Sequence, residues 1–180
     1  MALIPIHVLN AYRIPDMIIS EAKKKKQIIY GRQALNVQIP SFLHANTYDY
    51  DIYAKNPRKS ANVMQRKLDK EIAGGEDLFY SKSAVHKGTY RVMNKGEDRK
   101  RGTSDDYEEV DYTKIPSDID FVNVGGVRYE HLSSISENKK RMLKNPKASY
   151  RHEKDKADLH RIKIASVLKS GEWDFEWRQD

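Results

Sequence analysis

The sequence contains no cysteine, so disulfides and thiolate metal sites are excluded. That absence fits a reducing compartment, and a cytoplasmic location is expected. No stretch approaches the roughly 18 uncharged apolar residues that a membrane-spanning helix needs. Met1–Leu9 is apolar but lacks a basic start and a small-residue cleavage site, and reads as a strand or packing segment rather than a signal. The 6 histidines are scattered without metal-ligand spacing, so zinc is not expected. There is no internal repeat, no Walker-type phosphate loop and no Gly-x-Ser-x-Gly nucleophile turn.

What is present is charge. Hydrophobic residues make up 38% of the 180 residues and charged residues 33%, with a net charge of +7. That length suits one domain with a core of its own. A positive field favours polyanionic partners, although a merely soluble basic surface accounts for the charge equally well. The cations gather in Lys23–Lys26, Arg99–Arg101, Lys139–Arg141 and Arg151–His152, and this clustering points to a phosphate-binding surface.

Along the chain, Pro15–Asp16 is a helix start, running to about Lys26. Gln27–Tyr30 is a short buried strand stopped by Gly31, and Arg32–Leu35 makes one helical turn before irregular chain to Pro40. Thr47–Ala54, rich in β-branched and aromatic residues, is the most informative strand. A helix follows over Ser60–Ile72, where Val63, Met64, Leu68 and Ile72 recur at helical spacing. Strands are expected over Leu78–Ala84, Thr89–Met93 and Tyr107–Tyr112, with a polar loop at Asn94–Asp106. Ile119–Val124 and Val127–Tyr129 flank Gly125–Gly126 as a hairpin. Helices are expected from His131 to Leu143 and from Ser149 to Leu168, and Trp173–Trp177 reads as a final strand or an aromatic clamp. The pattern is α+β: a mixed sheet flanked by helices, with a core over residues 1–130 and a small helical C-terminal portion over 131–180 packed on it as one compact domain.

The chemistry lies in the carboxylates. Residues two apart on a strand share a face, so Asp49 and Asp51 present their charges together. Two adjacent carboxylates repel unless a cation sits between them, and magnesium, an oxygen-ligated ion that keeps positions open for phosphates, is the natural choice. A third carboxylate from another strand would complete a site for one or two metals that aligns a hydroxyl with a transferring phosphoryl group. Asp111 is expected to be that third group, with Glu109 on the same face as the fallback. Asp118–Ile119–Asp120 is a second Asp-x-Asp, but it follows Pro116–Ser117 and reads as a turn and strand start. An isolated Asp-x-Asp is common and usually marks a solvated strand face. Here a buried strand ending in glycine lies upstream, where amides at a helix start can hold a phosphate.

Tyr30–Gly31–Arg32 followed by Asp49–Tyr50–Asp51–Ile52 resembles the signature of the nucleotidyltransferase superfamily that includes DNA polymerase beta. That signature is a hydrophobic residue, Gly, then Gly or Ser, and after a spacer Asp-hydrophobic-Asp-hydrophobic. Arg32 occupies the position that is normally small, and the spacer is longer than usual. Downstream, Lys139, Arg151, Lys154, Asp155 and Asp158 resemble the C-terminal helical motif of the AbiEii-like branch, which contains toxins of toxin–antitoxin pairs; Lys154 stands where arginine is more typical. Without the upstream match, the same helix reads as a face salt-bridged between Lys154 and Asp158.

The resemblance implies a nucleotidyltransferase-like mixed sheet and transfer of a nucleoside monophosphate from an NTP to a hydroxyl, using two magnesium ions. Asp49, Asp51 and Asp111 would be the catalytic metal ligands. Gly31 and Arg32 would receive the triphosphate, Lys139, Arg151 and Lys154 would contact the nucleotide, and Asp155 would orient these cations. The basic surface makes RNA, such as a tRNA 3′ end, the expected acceptor, and an antitoxin-like protein is a further possible partner. Two alternatives stand: a fold that binds nucleic acid or protein without catalysis, favoured by Arg32, and a metal-dependent nuclease using the same carboxylates.

Overall fold

Bulky, largely β-branched residues at Ile28, Ile29, Ile52, Val92 and Val110 are buried in the central strands of a seven-stranded mixed sheet. The computed structural model describes residues 6–170 and the side chains of residues 13–170. In chain order the elements are α1 (Ile6–Lys24), β1 (Ile28–Tyr30), α2 (Gly31–Gln38), a short 3-10 turn (Ser41–Leu43), β2 (Tyr50–Ala54) and α3 (Pro57–Glu71). They continue as β3 (Phe79–Ser83), β4 (Tyr90–Asn94), β5 (Tyr107–Lys114), β6 (Phe121–Val124), β7 (Val127–Glu130) and α4 (Leu132–Leu143). A second 3-10 turn (Pro146–Arg151) leads into α5 (His152–Ser170). The strands lie in the order β3-β4-β5-β2-β1-β7-β6. The β2–β5 and β1–β7 pairs are parallel and the rest antiparallel. This is the α+β arrangement expected.

Several boundaries differ from expectation. α1 does not start at Pro15; it runs from Ile6 with Pro15 inside it. An internal proline lacks the N–H for one helical bond, yet Ile14, Ile18 and Ala22 at i, i+4 and i+8 are buried against the core, and their burial holds the helix across it. The strand reading of Met1–Leu9 therefore fails for Ile6–Leu9, and residues 1–5 lie outside those described. α2 runs to Gln38, longer than one turn. α3 starts earlier than Ser60, because the Asn56 side chain accepts from the Lys59 N–H and Pro57 fills the first helical position. The Trp173–Trp177 segment lies outside the described residues.

The core lies between one face of the sheet and helices α1 and α3, where Ile18, Ile29, Ile52, Met64, Leu68 and Val110 are fully buried. The opposite parity carries the polar residues. Tyr30, Asp51, Asp111 and Arg91 are register partners across β1, β2, β5 and β4, and so form one row on one face.

Candidate active site

The row exists because β2 and β5 are parallel neighbours in a register that sets Asp51 opposite Asp111. Two strands far apart in sequence thereby place two carboxylates side by side, the separation expected of cross-strand partners being about 5 Å. Asp49 does not lie on the strand as expected; it sits in the bend before β2, where the Thr47 hydroxyl donates to its Oδ1 at 3.0 Å. It still lines the same cavity as Asp51 and Asp111.

Gly31 is where β1 gives way to α2. Its φ is +71°, in the region that favours glycine. A Cβ there would stand 2.2 Å from Asp51 Oδ2. Glycine is therefore needed twice, for the turn and for the space the carboxylate occupies. Tyr30, the N-cap residue of α2 beside it, makes no side-chain cap; the Gly31 N–H meets the Glu130 carboxyl, and the amides that follow it suit an anion.

Glu108, not Glu109, stands beside Asp111. β4 and β5 shift register between Val92 and Met93, so that Val92 pairs with Val110 and Met93 with Glu108. The unpaired Glu109 is a β-bulge residue, and it reverses the parity of everything before it. Glu109 instead accepts from Asn94 Nδ2 at 3.0 Å, away from the cavity, so the fallback reading of Glu109 is corrected. Arg91 Nε lies 3.1 Å from Glu108 and 3.5 Å from Asp111. Neither contact is aligned as a hydrogen bond, and Arg91 Nε and Asp111 Oδ1 are buried without a partner.

One guanidinium does not balance this cluster. Burial, reinforced by the Asp49 charge, raises the Asp51 carboxyl to about 7. Burial raises Asp111 despite Arg91, and raises Glu108 with help from the Asp111 charge. Glu130, at the end of β7, is also pushed up to about 7, chiefly by burial. Among the described residues no three acidic, histidine or cysteine side chains are gathered closely enough to hold a metal ion as they stand. The donors nevertheless suit a hard cation: carboxylate oxygens only, in surplus, with one buried oxygen unpartnered.

A second cluster faces them. α4 and α5 pack together, and Lys139 Nζ of α4 donates to Asp155 Oδ1 at 3.1 Å and Asp158 Oδ2 at 2.7 Å on α5. Arg151 donates to both Asp155 oxygens at 2.8 and 3.2 Å. Asp158 also receives Arg161 at 2.9 Å and, from α2, Arg32 Nε at 3.3 Å. Both aspartates are fully buried. Burial pushes the Asp155 carboxyl up, but its hydrogen bonds from Arg151 and Lys139 outweigh that and hold it below the usual range.

Gly31, Arg32, Lys139, Arg151 and Lys154 all line the cavity, whose volume is about 400 Å³, within the range of small-molecule sites. Asp155 stays behind the wall, bonded to Lys139 and Arg151. The Lys154–Asp158 pair does not form among the described residues: Asp158 is taken by Lys139, Arg161 and Arg32, and Lys154 is exposed. Arg91, Glu108, Glu130, Thr113 and Asn138 also line the cavity and were not foreseen. Glu108 had a visible signal, the Glu108–Glu109 pair on a strand, but strict alternation selects the wrong one.

No protein-family model and no curated protein matches the chain. Solved structures do. The chain is similar to the crystal structure of the Megavirus polyadenylate synthase, at a TM-score of 0.71 and 19% identity, over 88% of this chain and 32% of that one. The fold is nucleotidyltransferase-like. This chain thus spans about a third of the length of that viral protein. It is also similar to JHP933 from Helicobacter pylori, at a TM-score of 0.50 and 14% identity, over 93% of this chain and 68% of that one. No described helix is long and apolar enough to cross a membrane.

Proposed function

We propose that the chain is a magnesium-dependent nucleotidyltransferase that moves a nucleoside monophosphate from an NTP to a hydroxyl, with an RNA 3′ end, such as that of tRNA, as the acceptor. The observation that carries this reading is the register of β2 and β5, which sets Asp51 beside Asp111 next to the uncapped α2 N-terminus. The likeness to a polyadenylate synthase supports it, as does the net charge of +7. The motif around Lys139, Arg151 and Asp155 supports a place near the AbiEii-like branch, with an antitoxin-like protein as a partner.

In this reading Asp49, Asp51 and Asp111 would hold two magnesium ions, which when bound would supply charge neutralisation for the transferring phosphoryl group. The protein's own groups do the remainder. Amides at the start of α2 and the Arg32 guanidinium receive the triphosphate. Arg151, held by Asp155, and the exposed Lys154 meet phosphate charge from the opposite wall. Lys139 is buried, and its work is to fix the two aspartates that orient the arginines. The acceptor oxygen bonds to the α-phosphorus, the bond from that phosphorus to the bridging oxygen breaks, and pyrophosphate leaves. Asp111 accepts the hydroxyl proton.

Transfer of label from α-labelled NTP to an RNA acceptor in magnesium tests the proposal. Asp51→Asn should abolish transfer, and transfer retained in that variant overturns it. A second reading, a module that binds without catalysis, draws on Arg32 being tied to Asp158 where the family has a small residue. Calorimetry separates the two, since a binding-only module shows no metal-dependent affinity for NTP.

A further inference from the structure

At the other end of β2 from Asp51, about 13 Å along the strand, lies a second cavity of about 330 Å³. It is lined by Lys25, Lys26, Lys55, Lys59 and Arg128. Its single lining carboxylate, Glu21, is already bridged by Lys67 at 2.5 Å. Among the described residues none of those four lysines has a carboxylate within ion-pair range. They come from three places, the α1–β1 junction, the end of β2 and the first turn of α3, so the charge is spread over a surface rather than focused on one point. All four lysines are exposed, so solvent screens their mutual repulsion, and an anion lying among them is attracted by each.

Two further observations point to a ligand. Gln27 is 9% exposed and lines this cavity; its Nε2 donates to Ser60 Oγ at 3.0 Å, while its Oε1 is buried with no partner. An unpaired buried amide group costs about 1–3 kcal/mol. A hydroxyl can satisfy that amide in either orientation, since it both donates and accepts. Lys26, just past the end of α1, has a φ of +52°, where glycine is the usual residue. A lysine held there carries backbone strain and delivers a cation to the cavity wall.

We infer that this second cavity binds the phosphodiester backbone of a single RNA strand whose end lies at the carboxylate site. The two sites share a partition: Tyr30 lines the first cavity, Tyr53 the second, and their rings stack at 4.0 Å. Val63 and Ile115 supply an apolar wall for sugar and base faces. The dispersed cations fit successive phosphates rather than one. This inference extends the RNA-acceptor reading, yet it concerns binding alone.

The test is fluorescence-anisotropy titration of a 12-nucleotide single-stranded RNA without magnesium or NTP. Lys26→Gly replaces a strained residue by the one its conformation favours, so its melting temperature should hold or rise. Its affinity should fall roughly fivefold at 0.1 M salt, and the slope of log K against log salt should become shallower by about 0.7. Lys59→Ser should do the same, and Lys169→Ser, an exposed control at the end of α5, should change neither. Equal affinity in all three variants overturns the inference, as does an equal fall in all three, which means diffuse charge only. Binding of AMP as tight as that of the RNA also overturns it, because the ligand is then a small phosphate ester. Loss of transfer in an otherwise RNA-binding protein would count against the proposed activity and leave this site standing.

Discussion

Across the central strands Asp111 and Glu108 share a single guanidinium, Arg91, and Asp51 has no cation in ion-pair range among the described residues, only the more distant Lys154 and Arg151, whereas on α5 Asp155 and Asp158 face four cations, Arg32, Lys139, Arg151 and Arg161. Both groups consist of buried or half-buried acids, the first lining the cavity and the second behind its wall. In the first, burial wins and the carboxyls titrate high; in the second, hydrogen bonds outweigh burial and Asp155 titrates low. A chain has no structural need to leave acids uncompensated, since they lower its stability. The difference separates a cluster whose acids are matched by cations from one whose acids are in surplus, the arrangement on which the proposed magnesium site rests.

The sharpest way to break this comparison is to delete a member of the complete cluster. Asp158→Ala strands three cations on a buried position and should cost about 3–5 kcal/mol by chemical denaturation; a loss below 1 kcal/mol would mean the cluster is not structural. Next in size is the pH response of the metal-free protein. Asp51 and Glu130 titrate near 7 in the fold, against ordinary values of 3.8 and 4.5. The folded state thus holds these protons more tightly than the unfolded state. Their stabilisation is fully present below about pH 4 and is lost as pH rises through 7, on the order of 1–3 kcal/mol for the cluster. Melting temperature should therefore fall between pH 5 and 8, and magnesium should restore much of it at pH 8. A pH-independent melting temperature, or one that ignores magnesium, contradicts the cation reading.

Asp51→Asn should act in the opposite direction to Asp158→Ala, raising metal-free stability at pH 8 by about 1 kcal/mol while abolishing transfer. Destabilisation of that variant would place Asp51 in the scaffold instead. The smallest effect is expected for Arg32→Ser, which puts a small residue beside Gly31. One of three cations on Asp158 is lost, a contact of 3.3 Å from a side chain 21% exposed, so about 1 kcal/mol should go. If Arg32 receives triphosphate, KM for NTP should rise with little change in kcat.

Much of the site's outline was legible in the chain because it rests on local rules. Gly31 at a strand end, Asp51 on an aromatic-rich strand and the Gly125–Gly126 hairpin need only period-two alternation and turn chemistry to be seen. Helix periodicity likewise located α3 and α4. The same rules misplaced the start of α1, where burial of Ile14, Ile18 and Ala22 overrides the local signal of Pro15. They also chose Glu109 over Glu108, because a bulge is a property of two paired strands rather than of one.

The sequence by itself determined that an acidic strand follows a glycine turn and that a basic helical segment lies far downstream, since composition and spacing are written along the chain. Only the tertiary structure decided which acids share a row, through the β2–β5 register, and what holds Arg32, through Asp158, 126 positions away. Pairing between distant segments depends on how the whole sheet closes, and no local pattern encodes it.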